Sequence, residues 1–147
     1  MSKSGPSQPY KAYHQATHTV GKTRQVVMLY DGVIRFLQQA AEAMEQGQIE
    51  TRYHKLTKAT DVLGALQACL DFEVGGTAAQ ILHDFYSTIE SKIHGLHRGA
   101  DRAICLEIIE ELKQMRDAWD KIDREGATPT AEAKSAAGPS DTVTVSA

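Results

Sequence analysis

The stretch MLYDGVIRFLQQA, residues 28–40, decides the fold of this chain. It contains Asp31-Gly32, a pair that is typical of turns, yet the apolar residues continue through the pair without a change of period. They recur at alternating steps of four and three, which places them on one face of a helix: Val26, Tyr30, Val33, Leu37, Ala40 and Met44. A glycine inside a helix costs about 1 kcal/mol relative to alanine. We therefore expect another element to lie close against this helix at Gly32.

Length and composition restrict the class of protein. The chain has 147 residues, of which 41% are hydrophobic and 24% are charged, and its net charge is −3. These values suit one soluble domain with one core. There is no basic stripe typical of nucleic-acid binding, no apolar run long enough to span a bilayer and no signal-peptide core at the N-terminus. We therefore expect a cytosolic protein that neither binds nucleic acid nor inserts into a membrane.

The apolar pattern predicts four helices. The first runs from about residue 21 to residue 46 and ends at Gly47, and the second spans about residues 49–70. The Gly75-Gly76 pair breaks the chain, so we expect Thr77 to cap the third helix and Asp101 to cap the fourth. The expected core stripes of the four helices, in order, are Tyr30, Ile34, Leu37 and Ala41; Leu56, Ala59, Leu63, Leu66 and Leu70; Ala78, Leu82, Phe85, Tyr86, Ile89, Ile93 and Leu96; Cys105, Ile108, Leu112, Met115, Trp119 and Ile122. The two cysteines, Cys69 and Cys105, are expected to be small buried thiols.

Four such helices joined by short loops indicate an all-α fold, an antiparallel up-down four-helix bundle over residues 20–125. Residues 1–19 are polar and predict a mobile N-terminal arm, or a short helix, packed on the bundle through Tyr10 and Tyr13. Residues 126–147 are rich in Ala, Thr, Ser, Pro and Gly, which predicts a disordered tail. Residues 1–9 and 127–147 lack the apolar content to offset their own ordering entropy, so we expect folding not to need them.

Residue types with catalytic or metal-binding chemistry are not grouped in a useful pattern. His94 and His97 are three residues apart, close enough to share a metal, but the apolar stripe of the third helix turns His94 toward solvent. The Glu-x-x-His motif of di-iron bundles and the Cys/His spacing of zinc sites are missing. The seams are apolar, whereas catalysis needs polar groups aimed into a concavity. We expect no enzyme activity, metal, cofactor or small-molecule substrate.

The first helix has more apolar surface than one core stripe requires. Leu29, Val33 and Phe36 widen the stripe to about half of the circumference, and Gly32 and Met28 lie beside them. One interpretation is packing against an extra helix or the arm. The other is a helix-in-groove binding surface, at which Gly32 allows close backbone approach and Met28 adapts its shape. On that interpretation the partner-binding residues are Tyr10, Tyr13, Met28, Leu29, Gly32, Val33, Phe36, Ala59, Val62 and Leu66.

Several short stretches resemble a known family, the FliS-type flagellar export chaperones. They occur in the order and at the spacing of that family: AYHQ at 12–15, MLYDG at 28–32, KATD at 58–61, LDFEVGG at 70–76, FY at 85–86 and MRDAW at 115–119. The resemblance implies a helical bundle without enzymatic activity. It also implies a partner, the disordered C-terminal segment of flagellin, which folds into helices as it wraps the bundle. The N-terminal Tyr-x-Gln of the family maps onto Tyr13 and Gln15, where the arm occupies the groove of the free protein.

The resemblance therefore implies a cytosolic chaperone that masks this flagellin segment. Masking prevents premature polymerisation, and the chaperone delivers the subunit to the flagellar type III secretion apparatus, with the export gate as a further partner. The alternative is a helical adaptor or regulator that binds another flagellar protein, such as an anti-sigma factor. Co-purification with flagellin, and with a flagellin that lacks its C-terminal helices, distinguishes the two.

Overall fold

A computed structural model describes residues 21–126, which form four α-helices. They are α1 (Lys22–Glu45), α2 (Ile49–Ala68), α3 (Phe72–Gly99) and α4 (Arg102–Glu125). The predicted all-α helical bundle is confirmed. The predictions for residues 1–19 and 127–147, including those for Tyr10 and Tyr13, lie outside the described residues.

The helices surround one core in the order α2, α1, α4, α3. α1 packs closely against both α2 and α4, and among neighbouring helices α3 and α4 pack least closely. Contacts between opposite ends of α1 and α4 establish their antiparallel direction: Arg24 of α1 contacts Asp120 of α4 at 2.8 Å, and Glu45 of α1 contacts Arg102 of α4 at 3.5 Å.

The core consists of the stripes that the sequence predicts. Most of the expected positions are buried, and many of them have no exposed side-chain surface, including Tyr30, Leu37, Leu56, Ile89 and Leu112. Leu70, Phe85 and Met115 are partly buried at the edge of the same cluster. Burial of large aliphatic side chains contributes about 1.5–3 kcal/mol each, so these stripes hold the four helices together.

The start of the third helix differs from the prediction. The helix begins at Phe72, and its cap is Asp71, whose carboxylate accepts hydrogen bonds from the backbone N–H groups of Glu73 and Val74. The predicted break is a kink at Gly76, whose φ of 53° and ψ of −124° interrupt the helix after its first turn. The expectation that Thr77 caps this helix is therefore wrong, because an earlier aspartate satisfies the free N–H groups of the first turn. Asp101 caps α4 as predicted.

The expectation for the cysteines is half right. Cys105 is buried, and its thiol donates a hydrogen bond to the carbonyl of Leu37 at 3.4 Å. Burial raises the pKa of the Cys105 thiol to about 11, so this thiol is inert. Cys69 is exposed, because it follows the last residue of α2 at the end of the bundle.

Candidate partner-binding surface

The predicted flank of α1 and α2 divides into buried and accessible residues. Met28 is 61% exposed, and Leu29, Phe36 and Val62 are partly buried against the core. The other four predicted positions in the described chain, Gly32, Val33, Ala59 and Leu66, are buried. The close packing of α1 against α2 and the core covers these four positions in the described structure. We name the accessible set, Met28, Leu29, Phe36 and Val62, the α1–α2 flank.

The neighbour of Gly32 is α2. A Cβ atom added at Gly32 would lie 3.8 Å from Cγ1 of Val62, an ordinary van der Waals distance. The close approach that the sequence predicts at Gly32 is thus made by a helix of the bundle. The wide apolar arc of α1 has the same origin, since α1 contacts two helices as well as the core.

Cationic side chains border the α1–α2 flank at Phe36. The guanidinium of Arg35 lies 5.6 Å from the centre of the Phe36 ring, and the ammonium of Lys55 lies 5.8 Å from it. Both distances permit cation–π attraction. The flank therefore offers exposed apolar surface beside two positive charges, which suits an amphipathic segment that carries carboxylates.

Asp31, the other half of the opening pair, contacts the opposite neighbour of α1. Its carboxylate accepts a hydrogen bond of 2.8 Å from Nε of Arg116 on α4. Two turns earlier on α1, Arg24 contacts Asp120 and Asp123 of α4 at 2.8 Å each. Hydrogen bonds from Arg24 and Arg124 lower the pKa of Asp120. These pairs align α1 with α4, so the MLYDG and MRDAW motifs meet across one helix interface.

A buried pair of tyrosines joins α1 to α3. The Tyr30 hydroxyl donates a hydrogen bond of 2.9 Å to the Tyr86 hydroxyl, and both side chains are almost fully buried. Burial raises the pKa of Tyr86 to about 12 and that of Tyr30 well above its ordinary value, so both hydroxyls remain neutral. The indole N–H of Trp119 is buried beside the Tyr30 hydroxyl without a hydrogen bond of ordinary geometry. Three of the quoted motifs thus meet inside the core.

A concave surface also lies between α2 and α3. This groove has a volume of about 380 Å³, and the residues that line it are Tyr53, Thr57, Thr60, Asp61, His94 and His97. The Tyr53 ring is 54% exposed and contacts the His97 ring edge-on, with 5.1 Å between ring centres. Arg52 donates a hydrogen bond of 3.3 Å to the His97 carbonyl. Burial, together with the charges of His94 and Arg52, lowers the pKa of His97.

The sequence did not indicate this groove. Its residues are polar or small and lie outside the apolar stripes, so hydrophobic periodicity gives no signal for them. The tyrosine pair was likewise missed as a pair, because each tyrosine falls at an ordinary core position of its own helix. The recurrence of tyrosines at core positions of two helices was the available signal, since a buried tyrosine hydroxyl usually requires a partner.

Two further features bear on the chemistry. Within residues 21–126, the histidines, cysteines and carboxylates form no cluster of three or more that could hold a metal ion. Among the four described helices, none is long and apolar enough to cross a membrane.

Comparison with known proteins gives the family. The model of the family described as "Flagellar protein FliS" matches residues 6–126. The chain is 34% identical over 100 residues to the flagellar secretion chaperone FliS of Vibrio cholerae, which covers 68% of this chain and 74% of that protein. It is 28% identical over 118 residues to the protein of the same name from Salmonella typhimurium, covering 76% of this chain and 87% of that protein.

A more distant relative extends the match further along the chain. The flagellar secretion chaperone FliS of Bacillus subtilis is 25% identical over 126 residues, which are 81% of this chain and 93% of that protein. The family match includes every described helix and all the motifs that meet in the core. This chain belongs to the FliS family of flagellar secretion chaperones.

Proposed function

We propose that this protein is a cytosolic export chaperone for flagellin. It binds the disordered C-terminal segment of flagellin, prevents premature polymerisation and delivers the subunit to the flagellar type III secretion apparatus, with the export gate as a second partner. It acts without catalysis, metal or cofactor. The observation that carries the proposal is the family match over residues 6–126, to relatives that are named flagellar secretion chaperones.

The geometry supports a binding role in two ways. The α1–α2 flank combines exposed apolar surface at Met28 with half-buried Leu29, Phe36 and Val62. The bundle beneath the flank is held by a close-packed core and by ion pairs between α1 and α4. A preformed surface of this kind does not have to become ordered when the partner binds. More of the free energy of contact therefore offsets the entropic cost of ordering the partner segment.

The flank residues have separate roles in this proposal. Met28, Leu29, Phe36 and Val62 contact the partner directly, and Tyr10 and Tyr13 of the N-terminal segment contribute to the same site. Gly32, Val33, Ala59 and Leu66 support the flank from beneath, because they are buried. An amphipathic helix whose apolar face covers Met28 and Phe36 and whose carboxylates approach Arg35 and Lys55 fits this surface.

Co-purification tests the function. The full chain should retain full-length flagellin and should lose a flagellin that lacks its C-terminal helices. Retention of both forms would place the binding site elsewhere on flagellin. Failure to retain either form, combined with capture of an anti-sigma factor offered in parallel, would replace this proposal by the regulator alternative.

A matched pair of substitutions tests the flank. Met28→Asp places a carboxylate in exposed apolar surface, and we expect it to weaken binding of the flagellin C-terminal peptide by about tenfold. Leu106→Asp is the control, because Leu106 is an exposed apolar residue on α4. Equal affinities of the two variants, measured by titration with folded protein, would remove the flank from the interface.

A further inference from the structure

Exposed apolar side chains are concentrated where α3 begins. Phe72, Val74 and Ile81 lie within ten residues of one another, and each is about half exposed. The Phe72 ring contacts the His83 ring edge-on, with 6.0 Å between the ring centres, so it lies against the bundle. We name Phe72, Val74 and Ile81 the α3 entry patch. A group of exposed apolar side chains on one part of a small bundle indicates an interaction site.

The surroundings of the α3 entry patch are acidic. From residue 59 to residue 91 the sequence contains five acidic residues and no lysine or arginine. Glu73 and Asp84 are exposed beside the patch residues. Within residues 21–126, neither carboxylate forms an ion pair. Such a surface attracts a segment that combines aromatic or apolar side chains with positive charge.

The first residues of this chain have that composition. Residues 1–30 contain no aspartate or glutamate, although the whole chain contains 19 acidic residues. Within the N-terminal segment, residues 1–20, Lys11 stands between Tyr10 and Tyr13. Positive charge and aromatic surface therefore occur together in this segment, as the α3 entry patch requires.

The start of α1 lies at the same end of the bundle as the α3 entry patch. α1 and α2 are antiparallel, because a short turn joins them, and Gly32 lies opposite Val62. Lys22, ten residues before Gly32, therefore lies near the end of α2. Burial raises the pKa of the Cys69 thiol, and the charge of Lys22 opposes that rise, which agrees with this position. Since α3 begins at Phe72, three residues after Cys69, the chain that precedes Lys22 starts beside the patch.

The N-terminal segment is also long enough to cover the patch. Eight residues separate Tyr13 from Gly21, and an extended chain of that length spans at most about 28 Å, whereas the axes of neighbouring helices are about 8–10 Å apart. We propose that residues 1–20 dock on the α3 entry patch of the same chain when no partner is bound, with the two tyrosines on its apolar side chains and Lys11 near its carboxylates. This place differs from the groove that the family resemblance implies for the segment, and it leaves the α1–α2 flank open in the free protein. The inference goes beyond the proposed function, because it concerns the chain before any partner binds.

Paramagnetic broadening in the full-length protein tests the position of the segment. A spin label is attached to Gln80→Cys, beside the α3 entry patch, or to Gln39→Cys, on α1 one turn beyond the α1–α2 flank; both positions are exposed, and Cys69→Ser removes the accessible native thiol. We expect the label at residue 80 to remove most of the intensity of the Tyr10 and Tyr13 amide signals, and the label at residue 39 to leave it unchanged. Stronger broadening from residue 39 would place the segment on the flank and overturn the proposal.

The same measurement distinguishes the other occupants of the patch. If broadening appears only when the labelled protein is mixed with a second, isotope-enriched copy, the segment docks on another molecule and the proposal of docking within one chain is overturned. Tyrosine signals that neither label affects would overturn the proposal as well, because the segment would then lie near neither surface.

A charge reversal tests the carboxylates beside the patch. With the label at residue 80, the double substitution Glu73→Lys and Asp84→Lys should restore the tyrosine signals, because it repels the basic segment. Glu107→Lys with Glu110→Lys is the matched control, since both are exposed carboxylates of α4, and it should leave the broadening as in the wild type. Broadening that survives the reversal beside the patch would overturn the proposal. Flagellin takes no part in these measurements, so their failure and a failure of the proposed function are distinguishable.

Discussion

Adjacent residues at the centre of α1 contact different neighbours. Asp31 pairs with Arg116 of α4, and Gly32 faces Val62 of α2. Tyr30, the residue before them, points into the core and donates its hydroxyl hydrogen bond to Tyr86 of α3. Three consecutive residues thus connect α1 to all three other helices. The Asp31-Gly32 pair, which is typical of turns, here lies among the contacts that join α1 to the other three helices.

The tyrosine pair predicts a coupled loss of stability. Tyr86→Phe leaves the buried Tyr30 hydroxyl without an acceptor, and Tyr30→Phe leaves that of Tyr86 without a donor. We expect each single change to reduce the free energy of unfolding by about 1–3 kcal/mol. The double variant should lose less than the sum, because it leaves no unpaired hydroxyl. Additive losses in a double-mutant cycle, measured by urea unfolding, would mean that the hydrogen bond contributes nothing.

Gly32 predicts opposite effects for a small and a large substitution. Gly32→Ala places a methyl group at contact distance from Val62 and removes the entropic cost of glycine, so we expect a gain of about 0.5–1 kcal/mol. Gly32→Leu cannot fit between α1 and α2 and should destabilise the bundle by about 1–3 kcal/mol. Thermal unfolding of the two variants separates these effects. A stabilised Gly32→Leu protein would show that the position is open.

At the scale of the helix, the sequence prediction is accurate where burial of apolar side chains sets the pattern. Core stripes follow from the helical period, since burial repeats every three to four residues, and positions such as Leu63 and Ile93 were predicted correctly. The sequence predicts the start of α3 too late, because the Gly75-Gly76 pair indicates a break, whereas the capping residue is Asp71. In the structure Gly76 leaves helical geometry and kinks α3, and the residues on both sides of it are helical. Burial of Gly32 was missed because periodicity within one helix does not reveal that a helix has two close neighbours.

The two aspartate caps predict matched effects. Asp71 and Asp101 each accept two backbone N–H hydrogen bonds in the first turn of their helices, at distances of 3.0–3.3 Å. Each substitution by alanine should cost about 1 kcal/mol. Asp71→Asn should retain most of the stability, because an asparagine oxygen caps equally well. If Asp71→Ala unfolds like the wild type in urea, the turn before Gly76 contributes nothing to the stability of α3.

The contact between α2 and α3 predicts a dependence on pH. Burial and the nearby charges of His94 and Arg52 lower the pKa of His97 below its ordinary value of 6.5. The folded protein therefore resists protonation of His97 more than the unfolded chain does, and stability falls as the pH drops below about 6.5. His97→Gln should unfold with a shallower dependence on pH between about pH 7 and 5. His54→Gln, at an exposed histidine of α2, is the control. Equal slopes for the wild type and His97→Gln would contradict the assignment.

At the scale of the whole molecule, the four described helices share one core. Each of the four contributes buried apolar residues to one cluster, and polar contacts join α1 to α4 and α2 to α3. The proposed function requires that such a bundle remain folded while a long partner segment orders on its surface. The stabilising contacts therefore belong inside the bundle, and the accessible apolar and polar positions of α1 and α2 are left for binding.

This division predicts that the C-terminal residues 127–147 are not needed for folding. Their composition of Ala, Thr, Ser, Pro and Gly provides few large apolar side chains, and ordering each residue would cost about 1–2 kcal/mol in backbone entropy. Deletion of residues 127–147 should leave the free energy of unfolding within about 0.5 kcal/mol of the wild type and should leave the helical signal of the bundle in circular dichroism unchanged. The control is a chain that ends at Asp117 and so loses Trp119 and Ile122 from the core; it should fail to fold. A large loss of stability on deletion of 127–147 alone would mean that this segment packs on the bundle and belongs to its core.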